Sequence, residues 1–275
     1  MAQHRNSGGV EGVITTDHSL QGARASFPSL RGTRVFITGG GSGIGACLVS
    51  AFAHQAALVA FVDIDAAASA ALAEDLKTRG VDAPWWQVCD VRNVLSLQEA
   101  IRSAAAALGN FNVLVNNVAS DDRHQIAEVT PEYWDDRMAV NERPAFFAIQ
   151  AVLPGMKTLG GGSIINFGST GWQTKASGYP AYATAKSSVM GLTRGLAREL
   201  GAHRIRINVV SPGWVMTERQ LRLWAVPDMD QEIARLQCLP DPIQPSDIVG
   251  MVLFLAADDG RACTAQEFIV DAGWT

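Results

Sequence analysis

Tyr182 and Lys186 stand four residues apart in the stretch Ser177 to Lys186, SGYPAYATAK, which continues helically through SSVMGLTRGLAREL. On a helix that spacing puts both side chains on one face. A phenol ordinarily holds its proton to a pKa of about 10, and an ammonium group one turn away favours the tyrosinate. Such a pair can exchange a proton with an alcohol or carbonyl near neutrality. The same spacing also describes an amphipathic helix with a half-buried Tyr and a solvated Lys, so the surrounding elements must decide between the two readings.

From Leu30 onward, apolar runs of four to seven residues alternate with Ala- and Leu-rich helical stretches. This alternation predicts βαβ units: an α/β, Rossmann-type, doubly wound parallel sheet in a single domain. Strands are expected at Arg34 to Thr38, Leu58 to Val62, Trp85 to Cys89, Asn112 to Asn116, Ser163 to Phe167, Arg206 to Val210 and Glu267 to Val270, giving a seven-stranded sheet. Helices are expected near Gly43 to His54, Ala66 to Arg79, Val94 to Leu108, Pro131 to Met156, Tyr182 to Leu200 and Pro245 to Ala256. Thr217 to Pro242 carries Pro227, Pro240 and Pro242 with a mixed pattern, and reads as a flap over a substrate.

The first strand runs into TGGGSGIG, Thr38 to Gly45, directly before a helix. Gly39, Gly43 and Gly45 would let the backbone turn tightly and approach a pyrophosphate, which then sits on the positive helix N-terminus. The second strand ends in FVDID, with Asp63 eighteen residues beyond Gly45. A carboxylate there accepts hydrogen bonds from both adenosine ribose hydroxyls and repels a 2′-phosphate, so NAD is expected rather than NADP. The alternative for Asp63 is a cap of the next helix. Asp90, ending the third strand in CDV, has the same two readings, an adenine amino group or a helix cap.

The 275 residues are 48% hydrophobic and 18% charged, enough for one sizeable core. A net charge of −5 offers no footprint for nucleic acid or an anionic membrane, so neither partner is expected. Cys47, Cys89, Cys238 and Cys263 are widely spaced without a CxxC pair. They are read as small core hydrophobes in a cytoplasmic protein, with no metal site. Residues 1–27 hold no continuous apolar run and are expected to form a flexible tail preceding a domain over 28–275.

TGGGSGIG, CDV, LVNN, INFGS, YATAK and SPGWVMT follow one another in the order found in the short-chain dehydrogenase/reductase family, which the chain resembles from about Pro28. The resemblance implies a homotetramer or homodimer that moves a hydride between a nicotinamide and a carbon bearing oxygen. It implies a catalytic set of Tyr182, Lys186, Ser169 at the end of IINFGS, and Asn141 in MAVNERP. Tyr182 would take the hydroxyl proton, Lys186 would steady the phenolate and hold the nicotinamide ribose, and Ser169 would fix the substrate oxygen. Asn141 would hold a water linking Lys186 to solvent. Pro144 cannot donate to the Val140 carbonyl, so the helix is expected to open beside Asn141 or simply to kink.

The resemblance also places Ser42, Ile44, Ile64 and Val91 along the cofactor. Asn116 would tie the central strands, while Asn117 and Val118 would line the adenosine ribose. Where the family usually reads NNAG this chain reads NNVA, which narrows that turn without adding charge. Pro212, Gly213, Val215 and Thr217 match the segment that seats the nicotinamide, although Thr217 reads equally as a helix cap.

Finer stretches, among them SDDRH at Ser120 to His124, EYWDDRMAVN and the terminal DAGW, resemble bacterial aldose 1-dehydrogenases of the D-xylose type. That resemblance implies oxidation of a cyclic hemiacetal to a lactone. Ser120, Asp121 and Gln173 would hydrogen-bond sugar hydroxyls, and Tyr179 and Trp214 would face the ring's apolar side. Asp122, Arg123 and His124 are read as a network that fixes their loop. The alternatives are a 3-oxoacyl-carrier or other ketone reductase, a sugar-alcohol or keto-deoxy-sugar dehydrogenase, and a dinucleotide-binding regulator without catalysis.

Overall fold

The computed structural model describes residues 25–224 and 228–275. Most of the expected tail, and residues 225–227 of the expected flap, lie outside the described residues. The strands are β1 (Arg34–Thr38), β2 (Leu58–Asp63), β3 (Trp85–Val88), β4 (Val113–Asn116), β5 (Gly162–Phe167), β6 (Ile205–Pro212) and β7 (Glu267–Val270). They form one parallel sheet in the order β3-β2-β1-β4-β5-β6-β7. The chain order reverses between β1 and β4, where Thr38 pairs with Asn116 at the carboxyl ends.

Both faces of the sheet are covered, because alternate side chains leave a strand in opposite directions. Val35 and Ile37 of β1, with Val59 and Phe61 of β2, pack against α1 (Gly43–His54), α2 (Ala66–Thr78) and α9 (Pro245–Ala256) through Leu48, Phe52, Leu72 and Ile248. Phe36, Ala60 and Val62 go to the other face, against Leu97 and Ile101 of α3 (Val94–Leu108) and Ile149 and Val152 of α5 (Arg143–Leu159). Each such Leu, Ile or Phe taken fully from water contributes about 1.5–3 kcal/mol. Phe27 joins the first layer, and its amide donates to Gln55 Oε1 at 2.8 Å.

The single helix expected over Pro131 to Met156 is two: α4 (Pro131–Asn141) and α5, broken at Glu142 with φ −129° and ψ −58°. Pro144 has no N–H for the Val140 carbonyl, yet is well accommodated in the first turn of a new helix. The expected opening beside Asn141 is therefore a full break. Further on, α6 (Pro180–Gly201) starts two residues before Tyr182 because Pro180 takes its first position. The stretch 217–242 holds α7 (Glu218–Trp224) and α8 (Met229–Leu236).

The cysteines divide: Cys89 is buried, Cys47 and Cys263 are half-buried, and Cys238 is exposed, contrary to the expectation of four core residues. Burial, aided by Asp247 and Asp90 respectively, pushes the Cys47 and Cys89 thiols up to about 11.

Candidate active site

A cleft of about 880 Å³ lies at the carboxyl ends of the strands, over the reversal in strand order. Such a switch point is where open α/β sheets take their ligands. The expected cofactor residues line it with the exception of Gly43, as do Ser169, Ser120, Asp121, Tyr179 and Trp214. Asn141 and Gln173 do not.

At one end β1 turns into α1. Gly39 has φ +71°, and a Cβ there would come 2.8 Å from Val118 Cγ2, the side chain that departs from NNAG. A Cβ on Gly45 would overlap the Gly39 carbonyl oxygen. Asn117 Nδ2 donates to that carbonyl at 2.8 Å and to Thr38 O at 3.2 Å, so the expected ribose-lining Asn117 spends its amide clamping the turn. The Ser42 side chain makes no cap bond, and Ser42, Ile44 and Gly45 present the positive start of α1 to the cleft.

Asp63 Oδ2 accepts from Gly41 N at 2.8 Å and Oδ1 accepts from Asp65 N at 3.0 Å, with the carboxylate on the cleft wall. Asp65 caps α2, which removes the capping alternative for Asp63. Likewise Asn93 caps α3, and Asp90 instead pairs with Arg92, whose hydrogen bonds hold its carboxyl below the usual range. A cradle that a Cβ would fill, a helix N-terminus and a terminal carboxylate fit a dinucleotide: phosphates on α1, ribose at Asp63.

Lys186 is 3% exposed, and its Nζ donates to the Phe167 carbonyl at 2.9 Å. Burial brings its ammonium down to about 8. Tyr182 lies against the cleft, where burial holds its phenol well above the ordinary value and the Ser169 hydroxyl pulls the other way. Burial thus opposes the tyrosinate expected from the Tyr182–Lys186 spacing, and the Lys186 ammonium is turned to a backbone carbonyl. Ser169 Oγ accepts from Gly171 N at 3.1 Å, which fixes it at the cleft floor.

Asn141 is buried behind that floor. Its Oδ1 accepts from Ser120 N at 2.8 Å, and its Nδ2 donates to Ser120 O and Arg137 O, both at 3.0 Å. The side chain expected to hold a water therefore fastens the loop after β4. A separate cavity of about 10 Å³, room for one water at most, is bounded by Val140, Asn141, Asn116, Pro144 and Lys186. Asn116 Oδ1 is buried there without a partner among the described residues, while its Nδ2 donates to Asn166 Oδ1 at 2.9 Å across β4 and β5, tying the central strands as expected.

The other end of the cleft is polar. Trp214 Nε1 donates to Gln220 Oε1 at 3.0 Å, and Gln220 Nε2 donates to Asp121 Oδ2 at 2.7 Å. Asp121 also pairs with Arg219, Arg219 with Asp122, Asp122 with Arg137, Arg137 with Asp136, and Asp136 with Arg92 at 2.8 Å. This ladder of alternating charge runs from α7 along the cleft rim to Asp90. Burial opposes the charge on Asp122, but hydrogen bonds from Ser120, Arg137 and Arg219 outweigh it and hold its carboxyl below the usual range.

Two expected sugar contacts are accordingly committed elsewhere: the Ser120 hydroxyl bonds Asp122 and Arg137, and both Asp121 oxygens are taken by α7. Gln173 turns away and donates to Glu267 Oε1 on β7 at 3.0 Å. Tyr179 has one face covered by Arg123, 4.0 Å above its centroid, and so does not offer that face to a sugar. His124 behaves as expected, its Nε2 accepting from Ala181 N and its ring lying against Tyr133. Arg123 instead reaches the cleft, as do Arg219 and Glu232, none of them anticipated from the sequence. Thr217 does cap α7, accepting from Gln220 N at 3.3 Å, while also facing the cleft.

A family model described as enoyl-(acyl carrier protein) reductase matches residues 39–275. The chain is 48% identical over 250 residues to the D-xylose 1-dehydrogenase of Caulobacter vibrioides, covering 91% of this chain and 98% of that one. It is 47% identical over 249 residues to a probable galactose dehydrogenase of Rhizobium meliloti, covering 90% and 97%. A blue fluorescent protein from a metagenomic library, solved in complex with NADPH, superposes with a TM-score of 0.82 at 36% identity over 90% of this chain and 99% of that one. The chain belongs to the short-chain dehydrogenase/reductase family. It is an oxidoreductase that uses a nicotinamide dinucleotide.

Proposed function

We propose that the chain oxidises the anomeric hydroxyl of an aldose to a lactone, with NAD as acceptor. The observation that carries this is the convergence of Tyr182, Ser169 and Lys186 in a cleft whose far end is polar and ringed by ladder residues, in a chain nearly half identical to two sugar dehydrogenases. Asp63 supports NAD: a 2′-phosphate there would meet a carboxylate, with no Lys or Arg in the turn 38–45 to neutralise it. When bound, the nicotinamide accepts the hydride that leaves C1.

Ser169 holds the reacting oxygen and Tyr182 receives its proton. Because burial raises the Tyr182 phenol, the base form depends on what offsets it: the Ser169 hydroxyl and the Arg123 charge, with Lys186 one turn further along α6. The small cavity beside Lys186 and the orphan Asn116 oxygen supply a place for a water through which a proton leaves. The resemblance to the family extends this reading to a homodimer or homotetramer in the cytoplasm.

The test is NADH formation from NAD over pentoses, hexoses, deoxy-sugars and sugar alcohols, with NADP and Tyr182→Phe as controls. Turnover of a free aldose, reduced about a hundredfold or more in the Phe variant, supports the reading, since loss of a positioned acid/base is worth about 10²–10⁴. Turnover confined to open-chain polyols or ketones would discard the lactone chemistry.

A further inference from the structure

Within SDDRH, Ser120 and Asp121, expected to bind sugar, are already hydrogen-bonded within the protein, whereas Arg123, one of the three residues assigned to a structural network, keeps its donors free. Among the described residues, the Arg123 guanidinium has neither a carboxylate nor a hydrogen-bond acceptor as partner, although Asp121 and Asp122 precede it directly. Those two are consumed by Arg137, Arg219 and Gln220. Arg123 is held by ring faces instead, 4.0 Å from the Tyr179 centroid and 4.9 Å from that of Trp224.

Its backbone is pinned on both sides. Asp122 is anchored to α4 through Arg137, while the His124 amide donates to Gly178 O at 2.8 Å and the His124 ring accepts from Ala181 N. Both of the latter contacts go to the start of α6, the helix that carries Tyr182. Tyr179 and Tyr182 meet edge to face with centroids 5.3 Å apart. The guanidinium is thus fixed relative to Tyr182, one intervening ring away, and faces the same cleft as Tyr182 and Ser169.

We propose that Arg123 is the residue that selects the substrate's hydroxyl pattern, its planar fork donating to two neighbouring oxygens of the sugar whose C1 hydroxyl lies at Tyr182. The inference rests on the sugar reading above. A guanidinium offers parallel N–H donors in one plane, which suits a vicinal pair of oxygens, and stacking leaves those edges free. A neutral pair is favoured over a carboxylate because this end of the cleft is balanced: Asp121, Asp122 and Glu232 stand against Arg123, Arg137 and Arg219. An anion would find no net positive field.

The experiment pairs side chain and substrate. Wild type, Arg123→Ala and Arg123→Lys are assayed with NAD on the preferred aldose, on its single-deoxy analogues at each ring position, and on the corresponding uronate. Arg123 is exposed, so both variants should keep the wild-type unfolding midpoint. The expected result is a KM about tenfold or more higher for Arg123→Ala on the parent sugar, with a smaller change in kcat, and no rescue by Lys, which lacks the fork. That penalty should shrink to about threefold or less on two analogues deoxygenated at adjacent positions. The same penalty on every analogue would make Arg123 a structural residue and overturn the assignment. A uronate used better than the neutral sugar by wild type, and lost in Arg123→Ala, would overturn it in favour of a carboxylate site. Wild type inactive on all aldoses would overturn the sugar reading, and this assignment with it.

Discussion

Replacing Lys186 by Met in the cofactor-free chain should change how stability depends on pH. Lys186 is 3% exposed, and its ammonium donates to the Phe167 carbonyl. Burial moves it from 10.5 to about 8, so holding it charged costs on the order of 3 kcal/mol in the folded state. The folded value lies below the unfolded one, so between about pH 8 and 10.5 the unfolded chain binds more protons. Wild-type stability must therefore gain from this group as pH rises through that window. Met is of similar length and apolar but leaves the carbonyl unpaired, at a cost of about 1–3 kcal/mol. The two terms partly cancel near pH 7, where the variant should equal or slightly exceed wild type. By pH 9.5 the relief term has fallen by about 2 kcal/mol and wild type should lead, a relative change of about 4–8 °C in unfolding midpoint for a chain of this size. Thermal unfolding of both proteins from pH 7 to 9.5 measures it. A difference independent of pH would mean that Lys186 titrates normally, and the account of a desolvated ammonium under Tyr182 would be wrong.

Asp63→Ala should cut the preference for NAD over NADP in kcat/KM at least tenfold, by removing the charge that opposes a 2′-phosphate. Asp63→Asn is the companion, since it can still accept from Gly41 N while losing the charge; an unchanged ratio in both would sink the assignment. Arg219→Ala should leave stability within about 1 kcal/mol, because the guanidinium is 42% exposed in its pairs. It should nevertheless abolish the protection from protease that NAD with sugar is expected to give residues 217–242 in wild type. Equal cleavage of wild type with and without ligands would show that α7 does not close over the substrate.

The sheet was legible because its signal is local and repeated. Runs such as RVFIT and LVAFVD are apolar on both faces, as a strand covered by helices on either side must be, and each lies between helical stretches with their own caps. The helix expected over 131–156, which is α4 and α5, departs from the reading for an equally local reason. The sequence pattern is continuous and reads Pro144 as an opening or a kink within one helix, whereas an interior position denies Val140 its donor and a first-turn position denies nothing, so the chain restarts at Arg143. The glycine turn, Asp63 and the Tyr182–Lys186 pair were legible too, since each is fixed by spacing along one strand, turn or helix.

The substrate end was not legible because residue type shows which bonds a side chain can make and not which are already made. Ser120, Asp121 and Gln173 read as hydrogen-bonding groups near a cleft, yet their partners come from Arg137, Arg219, Gln220 and Glu267, as many as 99 positions away. Burial decides the outcome further: Arg137, 12% exposed, needs Asp122 and Asp136 more than a sugar does, since an unpaired guanidinium there would bear its full desolvation cost. Arg123 is exposed and aromatic-stacked, so it can stay unpaired without penalty. Which side chains in this cleft stay free for a ligand is thus set by which cations already hold its carboxylates. On the role proposed for Arg123, a replacement at Arg137 or Arg219 should raise the KM for sugar without touching sugar, by releasing an aspartate for Arg123 to pair with.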